Sequence, residues 1–194
     1  MLIDAAVELC ERQGFDRTTV DQIAAIADVS PRTFSRYFAT KDAIALALID
    51  EVLERTALEL ARQPSDISHF DALLRSHVMM ANATKLAPPG ALSADRLMCI
   101  VRIIVTSPAL RQAVLEFRAN AIDVELAKRM GAGVDERRLQ LMSAVWGSII
   151  MTALSDLGRA GFDWSQLSID DVVGRVELTY AEFTREIAGA RQPA

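Results

Sequence analysis

Residues Thr18–Phe38 read TTVDQIAAIADVSPRTFSRYF, and the fold is decided by how this stretch must be built. Thr19 stands three residues before Gln22, the spacing of a capping box, and Val20, Ile23, Ala24 and Ala27 then recur at helical steps. Ser30 is placed to cap a second helix, with Pro31 at its first position, where a missing N–H costs nothing. Ala24 and Ala27 are small where the two helices must cross, and Val29 is apolar in the tight turn between them. Phe34 and Phe38, four apart, take the inward face of the second helix. That leaves Arg32, Thr33, Ser35, Arg36 and Tyr37 pointing outward. This is the pattern of a helix-turn-helix. The outward set suits a DNA major groove: guanidinium forks for guanine edges or phosphates, hydroxyls for either, a phenol for phosphate. The same spacing also fits an ordinary helical hairpin with a solvated basic face.

Outward from this motif, everything periodic keeps the helical period. Leu2, Ala5, Ala6, Leu9 and Cys10 mark a first helix that stops at Gly14. A long fourth helix runs from about 41 to 63, with Ile44, Leu48, Val52 and Leu53 inward. Five more are expected at about 66–86, 92–106, 108–130, 135–160 and 169–188. Pro88-Pro89-Gly90, Ser107-Pro108, Gly131-Ala132-Gly133 and the stretch 158–164 separate them. No strict alternation suggests a strand. The expected fold is all-α with about nine helices, a three-helix helix-turn-helix unit at 1–45 and a long-helix C-terminal unit at 46–194.

Composition narrows the function. The chain has 194 residues, 51% of them hydrophobic, with 21 Lys+Arg against 26 Asp+Glu and a net charge of −5. That balance argues against an indiscriminate nucleic-acid coat. Yet the window Val29–Lys41 holds Arg32, Arg36 and Lys41 and no acidic residue. Cys10 and Cys99 make no disulfide framework and read as small buried hydrophobes. The longest apolar run, Val145–Leu154, is short for a bilayer, and the N-terminus lacks a basic signal-peptide region. A cytoplasmic protein without a membrane partner is expected. His69 and His77 lie eight residues apart on one helix, about 12 Å along its axis, too far to share a metal. There is no nucleophile elbow, Gly-rich phosphate loop or partnered histidine for a triad. Neither a catalytic residue, nor a metal, nor a cofactor is expected, and the chain is not read as an enzyme.

Residues 2–50 resemble the DNA-binding domain of the TetR (tetracycline-repressor-like) family of bacterial transcription regulators. The resemblance is carried by AAVELCERQGF and TTVDQIAAIADVSPRTFSRYFATKDAIALALID, with Gly14-Phe15, Thr18-Thr19-Val20, Ile23-Ala24, Val29-Ser30, Thr33, Tyr37-Phe38 and Lys41 in register. It implies that Thr19 grips phosphate, that Arg32, Thr33, Ser35 and Arg36 reach base edges, and that Tyr37 and Lys41 clamp the DNA backbone. The family commonly has Gly where Arg32 stands and an aromatic where Ser35 stands, so the operator is this chain's own. Relatives also carry a basic arm and a further helical turn before the position of Leu2. By that resemblance, either the true start lies upstream of Met1 or the arm contacts are missing.

The C-terminal helices supply two further expectations. Met79, Met80, Met98, Phe117, Met142 and Trp146 read singly as core, and together as the wall of a pocket for an apolar small molecule, where the resembled family holds its effector. Arg102 interrupts the apolar run LMCIVRIIV and either snorkels to the surface or faces a ligand carboxylate or phosphate, with His77 a further polar candidate. From Leu139 to Leu157 the chain is apolar almost all round. A second stripe holds Val173, Val176, Tyr180 and Phe183. A helix apolar on every side must bury every side, so Ile149, Ile150 and that stripe are expected in a four-helix homodimer interface. The functional expectation is a homodimeric repressor that binds a pseudo-palindromic operator in double-stranded DNA and is released by a small, largely apolar effector. The alternatives are a regulator without an effector and a helical interaction module that has lost DNA binding.

Overall fold

The computed structural model describes residues 1–88, 90–116, 120–159 and 161–189. Every regular element among them is helical: α1 (Leu2–Gln13), α2 (Val20–Ile26), α3 (Pro31–Tyr37), α4 (Lys41–Ala61), α5 (His69–Thr84), α6 (Ala94–Thr106), α7 (Pro108–Glu116), α8 (Ala121–Met130), α9 (Arg137–Leu154) and α10 (Ile169–Gly189). Short 3-10 turns follow at Ser155–Gly158 and Trp164–Gln166. The starts are set by side-chain caps. Thr19, Ser30, Thr40, Ser68 and Ser93 each accept a hydrogen bond from the backbone N–H three residues on, satisfying a donor the helix itself cannot.

Two boundaries differ from expectation. The single helix expected at 108–130 is two, because Asn120 accepts from the amides of Ile122 (2.9 Å) and Asp123 (3.1 Å) and so opens a new helix at Ala121. The described residues therefore hold ten α-helices rather than nine. The eighth expected helix ends at Leu154 and tightens into the 3-10 turn instead of running to 160.

Burial explains how the parts join. One hydrophobic cluster takes Ala5, Leu9 and Cys10 of α1, Phe34 of α3 and Ile44 and Leu48 of α4, and continues into Ile100 and Ile103 of α6. The expected boundary at 45/46 thus falls inside the unbroken helix α4 and beside a core that both units share. A second cluster gathers Leu60, Leu73, Leu126, Leu139, Trp146, Ile149 and Tyr180. A smaller third one holds Val101, Val105, Leu154 and Leu157. Arg137–Gly158 is by length and composition apolar enough to cross a membrane, a longer stretch than the run read from sequence. In the fold its Leu139, Trp146, Ile149 and Ala153 face the chain's own core.

Candidate nucleic-acid interface

The geometry of the helix-turn-helix follows from its caps. The amide of Gln22 donates to Thr19 Oγ1 (3.3 Å) and the amide of Thr19 donates to Gln22 Oε1 (3.0 Å), so the box read from sequence is closed on both sides. Gln13 Nε2 donates to the same Oε1, also at 3.0 Å, which ties α1 to the start of α2. The chain leaves α2 through Asp28, whose φ of +52° is the left-handed backbone that a short polar side chain tolerates. The amide of Val29 then donates back to the carbonyl of Ala24 at 3.0 Å. Ser30 caps α3, and Phe34 is buried with its ring centroid 6.1 Å from that of half-buried Phe38. Burying a side chain like Phe34 stabilises by roughly 2–3 kcal/mol, which fixes which face of α3 looks out.

On that outer face Arg32, Ser35, Arg36 and Tyr37 are exposed. Arg36 donates to the Tyr37 hydroxyl (3.1 Å), with its guanidinium 5.0 Å from that ring's centroid, so the two present one cationic surface. Two expected base readers are partly engaged: Ser35 Oγ donates to the carbonyl of Pro31, and half-buried Thr33 shares a 3.0 Å contact with Ser30 Oγ. Lys41 sits differently from the expected phosphate clamp. Its ammonium donates to the carbonyls of Phe15 (2.9 Å) and Asp16 (3.2 Å) and lies 4.8 Å from the centroid of the Phe15 ring, fastening α4 to the loop before α2. Exposed Arg17, just before Thr18-Thr19, escaped the sequence reading; its Nε donates to the carbonyl of Gln13.

Residues 2–48 match the model of the bacterial regulatory proteins of the tetR family. It is this N-terminal unit that carries the likeness to the tetR family. The chain is 30% identical to the HTH-type transcriptional regulator TcmR of Streptomyces glaucescens over 136 residues, 69% of this chain and 60% of TcmR. It is 37% identical over 68 residues to the HTH-type transcriptional regulator HbdR of Aromatoleum sp. (strain CIB), 35% of this chain and 30% of HbdR. The matches thus span less than two thirds of either relative's length. The fold as a whole is similar to that of Thermus thermophilus FadR, a TetR-family transcriptional repressor solved in complex with lauroyl-CoA, with 20% identity, a TM-score of 0.51 and coverage of 93% of this chain and 90% of that one.

The helix-turn-helix unit is fastened to the rest of the chain by two arginines of α6. Arg102 Nη1 donates to the carbonyls of Cys10 (2.9 Å) and Glu11 (3.2 Å) at the end of α1, the first of which also accepts from the amide of Gly14 (2.9 Å). Its guanidinium also lies 5.6 Å from the centroid of the Trp164 ring. Of the two alternatives posed from sequence for Arg102, neither describes this. The fit is close: Gly14 has φ +83°, and a Cβ there would lie 3.3 Å from Arg102 Nη2. Nearer the start of α6, Arg96, only 8% exposed, pairs with Asp4 of α1 (2.6 Å) and Glu51 of α4 (3.3 Å).

The expected ligand residues fall into two packed regions. Trp146 Nε1 donates to His77 Nε2 (3.4 Å), and His77 Nδ1 lies 2.8 Å from the carbonyl of Leu73, which assigns the remaining ring proton to Nδ1. Desolvation of this half-buried ring pushes the pKa of His77 down to about 4. Trp146 in turn meets Tyr180 edge-on, and the Tyr180 hydroxyl donates to Asp71 (2.9 Å). Met142 packs against this second cluster, whereas Met80 is buried within the first and Met98 packs against it. Phe117 lies outside the described residues, and Met79 is exposed. A cavity of about 280 Å³ lies elsewhere, between the ends of α6 and α9 and the start of α7.

Of the residues expected at a dimer interface, Ile149, Val176 and Tyr180 are buried within the chain, and Ile150, Val173 and Phe183 are half-buried against its core. The outer faces of α9 and α10 carry a different set: Leu141 (63% exposed), Ala144, Ser148 and Thr152, then Gly174, Leu178 (60% exposed) and Ala181. A helix apolar on all sides has no amphipathic contrast to say which face turns inward, and here the bulkier face filled the core.

Proposed function

We propose that this protein is a sequence-specific transcriptional regulator of the bacterial cytoplasm, a homodimer that represses from a pseudo-palindromic operator and is released by a small, largely apolar effector. The observation that carries the reading is the capped helix α3 of the helix-turn-helix unit. Ser30 and Phe34 lock its start and inner face while Arg32 and the Arg36–Tyr37 pair stand in solvent. Arg32 and Arg36 take the base-reading role, with Thr19, Thr33, Ser35 and Tyr37 at the groove edge. Leu141, Leu178 and the small residues around them supply a flat, partly apolar surface for a second copy. A two-fold dimer would set two α3 helices in successive major grooves, roughly 34 Å apart. The relatives named above are transcriptional regulators, and FadR is a repressor seen with a ligand. By that likeness, effector binding favours a conformation with the wrong half-site spacing and lowers operator affinity by its differential binding.

The test is selection from a pool of random duplexes at moderate salt, followed by sequencing of what the protein retains. An enriched pseudo-palindrome with half-sites about one helical turn apart is the expected result. A retained pool with no enriched sequence, for the wild type as for Arg36→Ala, would overturn it.

A further inference from the structure

The 280 Å³ cavity has a lining of mixed character. Ile104 and Val105 of α6 and Met151 of α9 form an apolar wall, and Arg111 and Arg159 contribute two guanidinium groups with no carboxylate among the lining residues. Arg111 Nη2 donates to the carbonyl of Val105 at 3.2 Å, but its Nε is buried with no hydrogen-bond partner among the described residues. A buried donor without an acceptor is costly, and an acceptor arriving from a ligand would relieve it. Arg159 is held by an exposed pair with Asp156 three residues earlier (2.9 Å), a carboxylate that Arg175 also approaches (3.9 Å). Exposed pairs of this kind hold their partners weakly, so Arg159 is free to turn to a ligand. A planar fork is matched to a carboxylate, and the apolar wall is matched to the body attached to it.

We infer that this cavity is the effector site and that the effector is a small organic acid, its carboxylate between Arg111 and Arg159 and its apolar body on Ile104, Val105 and Met151. This rests on the reading of the protein as a ligand-responsive regulator. The location supplies the route to DNA. Val105 is one helical turn beyond Arg102, whose guanidinium holds the carbonyl end of α1. Behind it the 3-10 turn approaches so closely that a Cβ at Gly158 would lie 2.9 Å from the Val105 carbonyl oxygen. The end of α6 is therefore hemmed in on one side. A carboxylate that draws Arg111 off the Val105 carbonyl shifts this end of the helix, and Arg102 with it.

The experiment uses octanoate and 3-phenylpropanoate as probes, their uncharged amides as controls and inorganic phosphate as a third arm, read by calorimetric titration and melting temperature on the full chain. At least one acid is expected to bind about tenfold or more tightly than its amide, to raise the melting temperature with concentration, and to reduce retention of the selected duplex. Arg159→Gln, a change at the exposed rim, is expected to melt like the wild type and lose about tenfold of the acid's affinity. Arg111→Gln is expected to lose at least as much, with circular dichroism checking that α6 survives the loss of its cap. Acids that bind no better than amides, an Arg159→Gln variant that binds them unchanged, or saturable binding of phosphate alone would overturn the inference. An enriched duplex together with no acid discrimination removes this site and leaves the DNA reading standing. No enriched duplex removes the DNA reading itself.

Discussion

Arg102 of α6 donates to the carbonyl of Cys10 across 92 residues of sequence, at 2.9 Å, and thereby helps close the C-terminal end of α1 with a side chain from a distant helix. Removing it leaves the carbonyls of Cys10 and Glu11 without that cation. Arg102→Ala is expected to lose about 1–3 kcal/mol in urea denaturation, and to weaken duplex binding although it touches no DNA. Arg102→Lys, which keeps the charge without the fork, should fall between. Unchanged stability in the alanine variant would show that water replaces the guanidinium without loss.

Arg32 and Arg36 are exposed on α3, while Lys41 is engaged with Phe15 and Asp16. Arg36→Ala is expected to weaken duplex binding and, where the contact is to phosphate, to reduce the slope of log Kd against log salt by about one. Arg32→Ala should relax preference at one base position, read by repeating the duplex selection. Lys41→Met should instead lower the melting temperature and leave the salt slope as in the wild type.

His77 is half-buried and neutral, its pKa pushed by desolvation from 6.5 to about 4. As pH falls through that interval the unfolded chain takes up a proton that the folded chain refuses. The stabilisation is therefore complete above about 6.5 and is lost progressively toward 4. It amounts to roughly 3 kcal/mol. His69 is drawn down in the same sense, by burial first and then by Arg129 and Arg138. Denaturation series at pH 7.5 and 4.5 should show most of the difference abolished in His77→Gln and retained in His69→Gln.

Leu178 stands 60% exposed on α10, and Ile149 is buried on the inner face of α9. Leu178→Arg is expected to give a folded monomer by light scattering, with duplex affinity reduced because the half-sites are no longer linked. Ile149→Ala should destabilise the fold by about 2–4 kcal/mol without selectively dissociating the dimer. The reverse pattern would restore Ile149 to the interface.

The Gly158 backbone packs on the Val105 carbonyl so closely that a methyl group needs a shift of the end of α6. Gly158→Ala is expected to cost about 1–3 kcal/mol and to reshape the neighbouring cavity, seen as altered affinity for the acid probes.

The local signals were legible in sequence. Thr19 with Gln22 and Ser30 with Pro31 announced two helix starts, and both caps formed as read. The hydroxyl at Ser30 and the buried ring at Phe34 were enough to orient α3, because polar and apolar positions there differ sharply. Where that contrast was missing, the reading failed: around Ile149 and Leu141 both faces of α9 are apolar, and only packing selected one. Asn120 was overlooked because apolar residues continue at helical spacing on either side of it, masking a cap with the chemistry of Ser or Asp. Arg102 and Arg111 were opaque for another reason. Their roles are set by partners brought close only by tertiary folding, or by the absence of a partner, and no local pattern encodes either.

The pairing of Arg96 with Asp4 and of Arg102 with the end of α1 bears on grafting. Residues 1–45 look like a portable reading head, detachable just inside α4. Joined to a foreign ligand domain, this head would arrive with Asp4 paired only to the Met1 ammonium, with two helix-end carbonyls stripped of their cation and with Leu9 and Cys10 missing part of their apolar cover. A hybrid regulator built from it needs an arginine pair one and a half turns or so apart on the recipient's facing helix. Transplanting α6 along with the head is the simpler design.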